Sequence, residues 1–219
     1  MKKFQLAKLR RTIVVVGNFD PRFFHPRVLE RESLLSPDLA DELEPRVIMG
    51  DVSDLASSNL QILTYRDRLT VSAFKESCFE SIKDFCMNLI RSINFVEPSM
   101  LGVNSHHIFK SSSVEDWHRV GDVLAPKSHW NNLINAPGLK SISLASDRDD
   151  LHKSSLINVS VDATSFEDCP NCIGLSFNHH STLAEKSIEE FIDRLCKNWQ
   201  QCEGYTTEKL EKFLEDLVV

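Results

Sequence analysis

The sequence predicts an α+β protein: two pseudo-symmetric β-β-β-β-α halves form one antiparallel sheet with two long helices packed on one face, plus a short C-terminal helix. Three observations lead there. Short β-branched and apolar runs, several alternating in polarity, recur along the 219 residues. Two long stretches carry apolar residues at steps of three and four, the mark of a one-faced helix. The order of these elements repeats, over residues 12–95 and again over 99–200, leaving 205–219 as the terminal helix. A helix with one apolar stripe must lie on a sheet or on another helix, and short-linked alternating strands favour antiparallel pairing. About eight strands in a single domain follow.

The first half opens with Thr12 to Asn18, a continuous β-branched run ended by Gly17-Asn18. Two prolines, Pro21 and Pro26, then bracket Phe23 and Phe24 in a rigid connection. Arg27 to Leu35 reads as a short helix and Ser36 to Pro45 as an acidic surface loop. Strands are expected at Arg46–Val52, Leu60–Tyr65 and Leu69–Phe74, the last two joined by a hairpin at Arg66-Asp67-Arg68. Ser77 and Glu80 have capping-box spacing, and the stripe Phe79, Ile82, Phe85, Cys86, Leu89, Ile90, Ile93 follows.

The second half repeats the scheme. Met100 to Asn104 is a strand ended near a Gly and an Asn. Val114 to Leu124 is a helix, followed by a connector containing Trp130. Leu139–Ala145, Leu156–Ala163 and Ile173–Asn178 are strands. Thr182 and Glu185 have the capping spacing before the stripe Ile188, Phe191, Ile192, Leu195, Cys196, Trp199. Thr206 to Leu217 forms the terminal helix.

Composition excludes some classes. Lys+Arg total 25 against 32 Asp+Glu, a net charge of -7, so the chain has no bulk attraction for nucleic acid or anionic membranes. Lys2, Lys3, Lys8, Arg10 and Arg11 make a local basic segment, read as a solvated, frayed tail. The apolar run Ile13–Val16 is too short for a signal core, and no stretch reaches the ~20 residues that span a bilayer. A cytoplasmic protein without membrane contact is expected. Free thiols suit that compartment, with Cys86 and Cys196 placed on apolar helix faces.

The candidate chemistry is sparse. Cys169-Pro170-Asn171-Cys172 could share a zinc ion or form a redox pair, but no second CxxC supplies further ligands. A turn before a strand is the plainer reading. His106-His107 and His179-His180 lie at the ends of expected strands, and with Asp162 or Asp20 they could form a metal or acid–base site. His106, His179, Cys169 and Cys172 are therefore the candidate ligands. Neighbouring strand residues point to opposite faces, so one of each pair at most enters a given site. No phosphate-binding glycine loop or nucleophile elbow is present. Phe23, Phe24, Trp117 and Trp130 fall outside the helix stripes and are candidate partner-binding anchors.

The opening Thr12–Pro21 segment and Gly102-Val103-Asn104 resemble segments of small bacterial proteins, a likeness that carries no catalytic residue with it. The expected function is a non-catalytic binding or adaptor subunit, acting by protein–protein contact in a bacterial multi-protein assembly, with a protein partner or a second copy and no cofactor. A metal-dependent enzyme, with zinc at strand-end histidines, is the first alternative. Nucleic-acid binding through the basic N-terminus is the second, and the acidic balance argues against it.

Overall fold

The structure is a computed structural model and describes residues 2–93, 96–147, 155–162 and 169–219. The elements in chain order are β1 (Phe4–Val16), α1 (Pro26–Arg31), α2 (Pro37–Glu42), β2 (Glu44–Ile48), β3 (Val52–Ala56), β4 (Leu60–Tyr65), β5 (Arg68–Ala73) and α3 (Phe79–Ser92). They continue with β6 (Met100–Ser111), α4 (Val114–Leu124), β7 (Ser141–Asp147), β8 (Ser155–Asp162), β9 (Cys172–Thr182), α5 (Ile188–Glu203) and α6 (Thr207–Leu217). The fold is α+β, and nine strands form one open antiparallel sheet in the order β2-β3-β4-β5-β1-β6-β9-β8-β7.

Alternation along the strands sorts side chains into two sets. Ile13 and Val15 of β1, Leu69 and Val71 of β5, and Leu101 and Val103 of β6 share one apolar core with Ile82, Phe85 and Leu89 of α3 and with Phe191, Leu195 and Trp199 of α5. A second cluster gathers Phe4, Phe109, Ile173, Leu175 and Phe177 with Leu210 and Leu214 of α6. Between the two clusters runs a polar seam of Ser105, His107, His179, Ser181 and Asn198, all buried. Asn198 Nδ2 donates to the His179 carbonyl at 3.3 Å and to Ser181 Oγ at 3.1 Å, which ties α5 to β9.

Several expectations need correction. The basic N-terminus is the start of β1, a central strand, and not a frayed tail. Phe4 is fully buried. A register shift between Leu6 and Lys8 breaks the alternation there, which hides the strand from a periodicity reading. Lys2 pairs with Glu211 at 2.5 Å, and Arg11 lies over the rings of Phe79 and Trp199 at 4.8 Å from each centroid. Residues 46–56 hold a hairpin of two strands where one was expected, because β3 is only five residues long, Val-Ser-Asp-Leu-Ala, too short for a clear periodic signal. Segment 36–45 contains α2, started by Ser36 accepting from the Leu39 N–H with Pro37 in the first turn.

The helix starts also differ. The α3 N-cap is Cys78, with no side-chain cap, and Glu80 instead accepts from the Trp199 indole N–H at 2.8 Å. Thr182 is the last residue of β9. The α5 N-cap is Ser187, which accepts from the Glu190 N–H at 3.1 Å, while Glu190 accepts from the Ala184 and Glu185 N–H groups of the preceding loop at 3.1 and 2.7 Å. The buried face of α5 is rotated accordingly. Cys202 is buried and its thiol is pushed up to about 12 by burial, while Cys196 is exposed.

Candidate functional site

β6 and β9 run on past the expected ends at Asn104 and Asn178, and this repositions the histidines. Both pairs lie within strands, not after them. Alternation then separates the two metal candidates. His106 falls in the set that alternates with the core residues, beside Asn104. His179 falls in the buried seam, 1 % exposed, with its ring 5.6 Å from that of Tyr205. Cys169 and Cys172 are joined in a disulfide with Cα atoms 5.8 Å apart, and Asn171 between them has φ 59°, the left-handed turn conformation asparagine tolerates. The four proposed ligands are therefore not brought together, and among the described residues no group of three or more His, Cys, Asp or Glu could hold a metal ion. Thiol titration of the unfolded chain checks the bridge: four reactive cysteines are expected without reductant, matching Cys78, Cys86, Cys196 and Cys202, and two more after reduction.

The strand register assembles two polar rows across β1, β6 and β9. One row is Arg10, His106, Ser176, and the other is Thr12, Asn104, Asn178. These six line a cavity of about 340 Å³, with Ser143 of β7 at its margin. His106 Nδ1 and the Ser176 hydroxyl hydrogen-bond to each other. The His106 ring lies across β9 at a glycine: a Cβ on Gly174 would sit 3.3 Å from His106 Cε1 and 3.7 Å from Asp162 Cβ, so any side chain there would crowd the ring. Burial, helped by the Arg10 charge, holds the His106 imidazole below its ordinary range, against the opposing pull of Asp162. A neutral ring at neutral pH follows. Thr12 Oγ1 is bonded to Ser72 Oγ at 3.0 Å, so the row continues onto β5.

The four aromatic anchor candidates also separate. Phe24 is a core residue, 1 % exposed, and Phe23 packs edge-on against it at 5.7 Å. Trp117 is half-buried and its indole N–H donates to the Cys172 carbonyl at 3.0 Å. Trp130 is 48 % exposed, and Leu133 and Ile134, at 74 % and 54 %, stand beside it in sequence. Thr12, Asn104, Ser176 and Asn178 were read as strand residues and not as site residues, and Arg10 only as part of the basic segment. Their signal lies in the register: once β6 and β9 are given their full lengths, alternation puts all the β6 and β9 members on His106's side. Comparison with known protein families and with curated proteins finds no match to this chain.

Proposed function

We propose that this protein is a non-catalytic binding or adaptor subunit that works through protein–protein contacts in a bacterial multi-protein assembly. The observation that carries the reading is the contrast between the two edges of the sheet. Edge strand β2 holds Pro45 and the charges Glu44 and Arg46, and its register shifts between Pro45 and Val47. Those features blunt an edge against pairing with another chain. Edge strand β7 reads Ser-Ile-Ser-Leu-Ala-Ser-Asp, with no proline or lysine, and its Leu144 is 60 % exposed. Trp130, Leu133 and Ile134 precede it. An edge that carries no proline, lysine or register shift among the described residues, with exposed apolar side chains shortly before it in sequence, suits a partner that adds a strand and buries an aromatic anchor.

The scaffold behind this surface is, in the same proposal, a single cytoplasmic domain of two related halves. Strand order supports it: β1 and β6 are neighbours, and each is flanked on its other side by the last strand of its own half, β5 and β9. The sharing of one core cluster by α3 and α5 supports a common sheet face for both long helices. Among the described residues, no helix is long and apolar enough to cross a membrane. Part of the basic N-terminus is occupied internally by Glu211, Phe79 and Trp199, which supports a protein partner over nucleic acid.

The test compares wild type with a Leu133→Asp/Leu144→Lys variant, both positions being exposed enough for the fold to tolerate the change. Wild type is expected to self-associate in sedimentation, or to retain a partner in affinity capture, that the variant does not. Identical sedimentation together with identical captured proteins would sink the reading.

A further inference from the structure

The cavity over β1, β6 and β9 has three chemical features that its own fold leaves unused. Arg10 is exposed and makes no ion pair among the described residues. Asn178 Oδ1 is buried and receives no hydrogen bond. Asn104 Nδ2 and Asn178 Oδ1 each lie 3.7 Å from the point a Cβ on Gly102 would occupy, so an amide donor and an amide acceptor converge above a residue with no side chain. His106 is held by Ser176 and adds no second cation beside Arg10.

A buried carbonyl without a donor is destabilising, and the fold bears this at Asn178. A ligand N–H would relieve it. A paired amide donor and acceptor is the complement of another amide group, one C=O and one N–H. A lone guanidinium fork is the complement of a carboxylate. We propose that this cavity binds a small ligand bearing a carboxylate next to an amide, as in an N-acyl amino acid or the carboxyl terminus of a peptide. Arg10 holds the carboxylate, and the Asn104–Asn178 pair holds the amide. The cavity volume of about 340 Å³ leaves room for a side chain on the ligand. Ser143 of β7 lies at the cavity's margin, but none of the three recognition groups comes from the β7 edge.

Calorimetric titration of the full chain with N-acetylglycine tests it. Saturable binding is expected with a Kd of about 1 mM or below, and acetate and N-acetylglycinamide, each with half the recognition groups, should bind at least about tenfold more weakly. Arg10→Gln should weaken N-acetylglycine by about tenfold or more, the loss of a charge-assisted contact. Asn178→Leu should also weaken it, while leaving the unfolding midpoint unchanged or raised, because the orphaned oxygen is gone. Acetyl-triglycine separates the two sources: tighter binding than N-acetylglycine marks a peptide terminus, and equal binding marks a free small molecule. No saturable binding of N-acetylglycine up to about 10 mM, or equal binding by wild type and Arg10→Gln, overturns the proposal.

Discussion

Trp199→Ala is expected to lower the stability of the fold by about 3–5 kcal/mol, the range for truncating a buried large aromatic, read as a shift of the urea midpoint. Trp199 is 2 % exposed and sits in the core cluster shared by α3, α5 and the central strands. Three further interactions end with the ring. Its indole N–H donates to Glu80 Oε1 at 2.8 Å. Arg11 and Lys83 lie over its face at 4.8 and 5.6 Å. Arg11 Nε is buried without a hydrogen-bond partner, and its guanidinium is held by the two rings that enclose it together with Glu203 at 3.9 Å. Total stabilities of such chains are about 5–15 kcal/mol, so the variant sits at or near the unfolding threshold. Trp199→Phe keeps an aromatic face for Arg11 and loses the indole donor, and a cost of about 1–2 kcal/mol is expected. Equal losses in the two variants would show that the indole hydrogen bond, not the ring, carries the effect.

Acid should weaken this fold chiefly through one buried side chain. His107 is 3 % exposed, bonded through Nε2 to Ser105 Oγ at 2.7 Å, with Nδ1 unpartnered and Phe109 and Phe177 against its ring. Burial pushes its pKa down to about 4, with the charges of Arg11 and His106 acting the same way. In the unfolded chain it titrates near the ordinary value of 6.5. Between those two values the unfolded state binds the proton and the folded state does not. Stability is therefore full above about pH 6.5 and falls as pH drops toward 4, by about 3 kcal/mol in all. His106, also held low, adds a contribution of the same sign. The paired substitution Ser105→Ala/His107→Phe removes donor and acceptor together, so it should change stability little at neutral pH and flatten the acid limb of a urea-midpoint profile. A limb as steep as the wild type's would place the acid sensitivity elsewhere.

Much of the architecture was legible because it rests on local patterns. The stripe of α3, the Arg66–Arg68 turn between β4 and β5, and the Thr206 start of α6 are each written within a dozen residues, and each is present. What failed was whatever depends on distant partners. β1 reads as a strand only from Thr12 because its first half is charged on the exterior, yet Phe4 and Arg11 are fixed by α6, α3 and α5. Ser77-x-x-Glu80 has the spacing of a cap, but Glu80 is claimed by Trp199, 119 residues away. The histidine pairs were found as residues and misplaced as a site. Their strand ends were judged by apolarity, and both strands continue through polar residues that line the cavity or the buried seam.

The central place of β1 has a consequence for how this sheet can assemble. Its register with β6 joins Arg11 to Ser105, and its register with β5 joins Arg11 to Ala73, so both sides are closed by pairings remote in sequence. Lys2 is then anchored by Glu211, 209 residues away. Local hairpins such as β4–β5 can form early, whereas the middle of the sheet must wait for long loops to close, whose entropy is lost before any contact is gained. Until then β1 and β6 are long strands with open edges, one of them rich in Ile13-Val14-Val15-Val16. A segment with the composition of an aggregation-prone strand thus ends up paired on both sides, and its safety depends on how soon those long loops close.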